Sequence, residues 1–429
     1  MHKRVLGLAT GLVAILTIAA CSETLEGGGA CPLLCPQQAV TLKDTTIDAL
    51  VVDTTVNGLP SIGTEAYLML ASHGDTLDAR AIVRFDTLPG TYSKNGVDST
   101  ITKLDTAQLI VPIAFDSTKR PLVPITIELY NVDTTDTSGT VVNANLDTSV
   151  AVLAPLFRPN RLIGGKTFAP ESLSDTLRIP ISTDSVLNAV KNGKHLRVGF
   201  KLVSSRSGDI RIATALAGMP VRLRMKPSLD TSVAPVFVSP LSLTPQNQTF
   251  LSQPLADYTI VVKGGNTTAA TLLGVGGVPS RRVYLKFNVP SHIVDSTSIV
   301  RASLLMTQTP NRLLNPRDSI YIFPVPILST AAVSNYASAL QFLGSVGQFG
   351  LDSLKLSPAD SGIRSFEIVG LVRTWRRQPE SVSPRTLALR SGTEGQLGAE
   401  IDFFSTRAGA GVRPRLRITY VPVSATGLP

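Results

Sequence analysis

Residues 282–290 read RVYLKFNVP, and residues 80–89 have already read RAIVRFDTLP. In both stretches an Arg stands five residues before a Phe, a cation immediately precedes that Phe (Arg84, Lys286), and Asp86 or Asn288 follows it. Ala81, Val83 and Phe85 alternate with other residues, as do Val283, Leu285 and Phe287. A period of two belongs to a β-strand with one face in a core. The repeat therefore predicts two equivalent strands and, with them, a duplicated all-β architecture.

The duplication continues along the chain. Ala107-Gln108-Leu109 corresponds to Ala302-Ser303-Leu304, Ile125 to Tyr130 to Ile320 to Phe323, and Gly208 to Ile212 to Ala399 to Phe403. Both copies close alike, with Pro220 to Met225 matching Pro414 to Thr419. Offsets stay between 191 and 202 residues throughout, which chance does not maintain. Short apolar runs such as Tyr67 to Ala71, Ala107 to Ile113 and Ile125 to Val132 are separated by Pro, Asp-Thr and Asn-Gly turn signals, among them Asn57-Gly58 and Asn95-Gly96. Such spacing predicts antiparallel β-sandwiches. Helical spacing predicts short helices over Asp184 to Asn192 and Thr330 to Leu343. Residues 40–226 and 246–429 are the expected domains, and the four prolines between Pro227 and Pro245 mark 227–245 as a Pro-rich linker.

Ahead of this lies an address. His2, Lys3 and Arg4 precede an apolar run that ends in Ile18-Ala19-Ala20-Cys21, which resembles a bacterial lipobox. The expectation is a signal peptide over 1–20, lipidation at Cys21, and a tether over 21–39 that holds the chain to the cell envelope by more than one acyl chain. Ser22, in place of Asp, favours the outer membrane over the inner one. Cys31 and Cys35 close a small loop that an oxidising compartment would bridge, and no His, Asp or Glu stands beside them to complete a metal site.

The net charge of +9 is unevenly spread: residues 231–429 hold 18 Lys/Arg against 10 Asp/Glu, while residues 40–149 hold 7 against 14. On an exported chain a basic half points to acidic glycans or envelope polymers before nucleic acid, or to a solvated surface.

The second copy carries a longer series of motifs: Arg282, Lys286-Phe287-Asn288 and Pro290; Ala302 to Met306; Ile368 to Trp375; Leu387 to Arg390; Ile401 to Ser405; and Arg413 to Tyr420. In this order they resemble the DNRLRE-type domains, also classed as family 96 carbohydrate-binding modules and related to the repeats of archaeal disaggregatase. The likeness spans most of residues 245–422; the first copy lacks the Trp and the closing Tyr, and the DNRLRE string occurs in neither. The resemblance implies tandem jelly-roll sandwiches, exported and often beside polysaccharide-acting domains. It carries over no sugar-binding residue.

Catalytic constellations are poorly supplied. His73, His195 and His292 stand at no metal spacing, and there is no Gly-x-Ser-x-Gly elbow or nucleophilic cysteine after the lipobox. No enzyme, cofactor or metal is expected, and a polysaccharide lyase or hydrolase would need acids brought together by the fold. The binding signal is cationic. Arg413, Arg415 and Arg417 alternate with Pro414, Leu416 and Ile418; Arg222, Arg224 and Lys226 alternate with Leu223 and Met225; Arg197 and Lys201 flank Val198 and Phe200. Each set projects from one strand face, where guanidinium groups hold carboxylates or sulfates through charge-assisted hydrogen bonds. The sequence thus predicts a non-catalytic binding lipoprotein for acidic polysaccharide, with a scaffold that binds a surface protein as the alternative. The one Trp, Trp375, is expected in the core.

Overall fold

The computed structural model describes residues 42–59, 63, 65–114, 121–133, 150–192, 195–242, 256–264, 269–311, 319–327, 351–379 and 383–422. Cys21, Cys31, Cys35 and the helix expected at Thr330 to Leu343 lie outside them. The chain is all-β, in antiparallel sheets with a few short helices. Thr183–Asn192 is the longest of these helices among the described residues, where helical spacing placed one.

The first core lies between two layers. One is a sheet in the order Gly208–Ala213, Tyr67–His73, Leu77–Phe85, Leu196–Ser204, Ile125–Asn131, Leu162–Phe168. The other runs Thr176–Pro180, Thr106–Pro112, Arg222–Lys226, Val236–Val238. Leu68, Val83, Phe85, Ile127 and Phe200 from the first meet Leu109, Val111, Ile179, Leu223 and Met225 from the second. The second core repeats the plan with Val283, Leu285, Phe287, Leu387 and Phe403 packed against Ala302, Leu304, Leu416 and Ile418. Here a single sheet wraps round the core, because the last residues of the long strand Thr297–Thr309 turn the corner to pair with Phe403 and Asp402. In the first core one isolated bridge, Ile113 to Ile212, makes that corner.

Ala81, Val83, Phe85 and Val283, Leu285, Phe287 all face a core, as their alternation required. Their opposite faces are buried too, contrary to the half-exposed strand expected. Ile82 is covered by Tyr258, Ile260, Leu153 and Phe157, and Tyr284 by Val56, Ile327 and Ala388. The covering also answers the polar positions: Arg282 donates twice to Glu394 at 2.7 and 2.8 Å, and Arg80 twice to Asp78 at 3.0 and 2.6 Å.

The expected domain limits need correction. Lys43–Ile47 pairs with Arg415–Pro422, and Leu50–Leu59 pairs with Ser280–Phe287, so residues 43–59 complete the second core. Val236–Val238 pairs with Arg222–Lys226, and Asp257–Lys263 pairs with Leu77–Phe85, so the supposed linker and the strand after it complete the first. The second core is closed by strands expected in the first domain, and the first by one strand expected in the linker and one expected in the second domain. Repeats conceal this, because equivalent strands fit equivalent edges and sequence similarity cannot say which copy a strand joins.

Turn chemistry held at one of two Asn-Gly pairs. Asn95 and Gly96 adopt φ of 52° and 79° between Thr91–Lys94 and Val97–Thr100, the two-residue hairpin that needs a positive φ at both positions. Asn57-Gly58 lies instead inside Leu50–Leu59, where Leu59 pairs with Ser280 and Asn57 with Arg281, leaving Gly58 as the extra residue of a bulge.

Candidate anion-binding face

The four-stranded layer of the first core turns its other side outward. Thr176, Arg178 and Pro180 alternate with buried Leu177 and Ile179; Gln108, Ile110 and Pro112 alternate with Leu109 and Val111; Arg222, Arg224 and Lys226 alternate with Leu223 and Met225. Phe237 joins them from the edge strand and is 51% exposed, since Val236 and Val238 take the inward positions. Cross-strand register sets the rows. Arg178 and Arg222 both face Ile110, while Pro180, Gln108, Arg224 and Phe237 form the next row. Strands ~4.8 Å apart place the backbones of Arg178 and Arg222 ~10 Å from each other, with Arg222, Arg224 and Lys226 following at ~7 Å along their strand. The Arg222 guanidinium lies over the Phe237 ring at 5.6 Å.

Among the described residues no carboxylate pairs with Arg178, Arg222, Arg224 or Lys226. Asp105 and Asp175 stand just outside the strands Thr106–Pro112 and Thr176–Pro180. Such a face attracts polyanions and offers planar donors for bidentate contacts. Arg178 and Phe237 escaped the sequence reading. Arg178 is one cation in an unremarkable strand, and Phe237 sits in the stretch taken as linker; only register unites them with Arg222.

The other predicted cations are placed differently. Arg417 donates to Asp44 at 3.0 Å, and Arg413 is bonded to Asp48. The hydrogen bond with Arg417 holds the Asp44 carboxyl below the usual carboxylate range and raises Arg417. Arg415 shares the strand face of Arg417 but has no ion pair among the described residues, and Arg413 lies just before the strand. Arg197 corrects the expectation of an open face: it is 6% exposed, opposite Arg84, with Asp86 3.8 Å from Arg197 and 2.9 Å from Arg84. The outer side of its strand is covered, with Phe157 and Val132 packed over Gly199 two residues along. Lys201, on the same strand, faces Glu128 at 3.9 Å. The three predicted sets therefore belong to three separate surfaces, and one is open.

Two other polar sites compete. Glu400 and Asp402 share one side of Glu400–Phe404 with Arg281, which donates to Glu400 at 2.5 Å, and Asn311, which donates to Asp402 at 2.9 Å. Burial first raises the Glu400 pKa, Arg281 opposes that, and the neighbouring Asp402 adds to it. Glu400 is 7% exposed and packs on Gly274 and Gly277, which makes the cluster an interior ionic network. A cavity of about 150 Å³ lies beside Asp53, Thr55, Leu273 and Arg407. Its acid is already committed: Asp53 accepts from the Thr406 amide at 2.6 Å and the Thr406 hydroxyl at 2.9 Å. Trp375 is fully buried, 5.4 Å from Phe287, as expected of a core residue.

No family model matches the chain, and no curated protein matches it. Among solved structures, that of infectious bursal disease virus Gx strain is similar over 89% of this chain and 76% of its own at 11% identity, with a TM-score of 0.14. The infectious bursal disease virus VP2 subviral particle is similar over 89% of this chain and 77% of its own at 9% identity, with a TM-score of 0.11. Similarities at this level carry no argument about fold or function.

Proposed function

We propose that the chain is a non-catalytic cell-envelope lipoprotein, anchored through Cys21 at the outer membrane, whose four-stranded face binds an acidic polysaccharide or envelope polymer. One observation carries the reading: Arg178, Arg222, Arg224 and Lys226 share an outward sheet face with no carboxylate paired to them among the described residues. Maintaining unneutralised like charges at this density costs self-repulsion, which a polyanion would relieve. The motif order shared with DNRLRE-type domains supports a carbohydrate partner and tandem jelly rolls, and the lipobox supports the anchor.

The test is retention of the full chain, in mild detergent, on immobilised polyuronate and sulfated dextran. Retention at ~20 mM salt that weakens steeply towards ~200 mM is expected, because Debye screening shortens over that range. Combined Arg222→Glu and Arg224→Glu substitution should abolish it. Failure of both matrices to retain the unaltered chain at low salt overturns the proposal.

A further inference from the structure

We infer that this face recognises a sugar ring as well as charge: Ile110 and Phe237, on strands either side of Arg222–Lys226, are two apolar points of an interrupted floor against which pyranose units lie, each flanked by guanidinium groups that take its anionic substituent. The inference rests on the binding reading above and narrows it to polymers that carry an anionic group on a saccharide ring.

The register carries the argument. Ile110 occupies the outward position between Arg178 and Arg222, so the row reads cation, apolar side chain, cation across three strands. In the next row Gln108 and Arg224 lead to Phe237, whose ring is 51% exposed although its neighbours Val236 and Val238 pack inward. An aromatic at an open edge exposes apolar area that an edge strand ordinarily replaces with charge. Arg222 over the Phe237 ring at 5.6 Å holds that ring beside the cations. A chain of phosphates has no apolar face to lay on this floor; a pyranose ring has one, with its carboxylate or sulfate at the rim. Gln108, in the row of Arg224 and Phe237, offers an amide for hydroxyl groups.

The experiment compares three probes of matched charge on the full chain in mild detergent: polygalacturonate, dextran sulfate and inorganic polyphosphate. Phe237→Ala is expected to weaken one or both saccharide probes about tenfold, to leave polyphosphate within about twofold of the unaltered chain, and to be rescued by Phe237→Tyr. The two saccharide arms separate carboxylate from sulfate recognition. An equal loss for all three probes, or none for any, overturns the ring-reading inference while leaving charge-based binding intact. Absence of binding by all three probes to the unaltered chain overturns the binding reading itself. Thermal unfolding of Phe237→Ala and Phe237→Tyr distinguishes loss of contact from loss of fold.

Discussion

Arg222–Lys226 and Arg415–Pro422 occupy equivalent places and carry the same alternation of cation and apolar residue, yet the first is open and the second is largely neutralised. The difference comes from the strand beside each. Val236–Val238 brings Phe237 to the first, whereas Lys43–Ile47 brings Asp44 to the second, with Asp48 just beyond. The two cores are built alike and differ at their edges, where a substitution changes surface chemistry without disturbing packing.

Two interior positions show the same divergence at higher cost. Asp53 and Asp257 stand on equivalent closing strands and both receive an amide from the residues just after an equivalent strand, Glu400–Phe404 or Gly208–Ala213. In the second copy these supply Thr406, whose hydroxyl donates as well; in the first they supply Ala215, and Asp257 Oδ2 is left without a partner. Likewise Met69 pairs with Arg211 where Gly274 pairs with Asp402. Met69 fills its space with an apolar side chain, while a Cβ at Gly274 would collide with Glu400 and displace the ionic network.

The largest expected effect comes from removing the closure. Deleting residues 42–59 takes away both strands that complete the second core, including buried Ala49 and Val56 and the Asp53 cap of the 405–407 turn. The loss should exceed ~4 kcal/mol, the range reserved for core disruption. Amide exchange should accelerate across Ser280–Phe287 and remain slow across Leu77–Phe85, which keeps its own partner Asp257–Lys263. Equal protection of both strands in the deletion variant would break the assignment of 42–59 to the second core.

The strand alternation and the helix near 183–192 were legible in the sequence because each depends on local period. Which copy a closing strand joins was not, because that choice is made by register between segments some two hundred residues apart. The cationic sets were legible as strand faces, but whether a face is open depends on its neighbour. Arg197 reads like Arg222 along the chain and is buried because other side chains, Phe157 among them, cover the outer side of its strand. Phe237 was hidden by its prolines: Pro235 and Pro240 suggest a connector, although three residues between them form an edge strand, where proline is tolerated nearby.

A smaller effect follows from the missing hydroxyl at Ala215. Burial raises the Asp257 pKa from 3.8 to about 6, against the lowering effect of the Ala215 amide. A raised carboxyl binds its proton more tightly when folded, so stability should fall as pH rises from ~4 through ~6 and stay low above, by up to ~3 kcal/mol. Ala215→Thr would restore the second donor seen at Asp53. It should recover ~1 kcal/mol at pH 7 and flatten the dependence of the melting temperature between pH 4 and 7. An unchanged slope in this variant would show that Asp257 does not set it.

The smallest effect on stability, and the sharpest on the comparison, belongs to Asp44→Asn with Asp48→Asn. Both acids are exposed partners of exposed arginines, and such pairs contribute little to folding. Melting should therefore stay within the range of ordinary surface substitutions. Binding should change: freed of its acid, Arg417 joins Arg415 on one strand face, with Arg413 freed just before the strand, and the cations approach the charge pattern of Arg222, Arg224 and Lys226. Retention on polyuronate at low salt should rise about threefold through this second cationic row, with a steeper salt dependence. Phe237→Ala added to the same variant should weaken only the original row, since Lys43–Ile47 contributes no aromatic to the second. If retention stays unchanged after the acids are removed, cation spacing alone does not make a binding face, and the apolar floor of Ile110 and Phe237 is what distinguishes the first copy from the second.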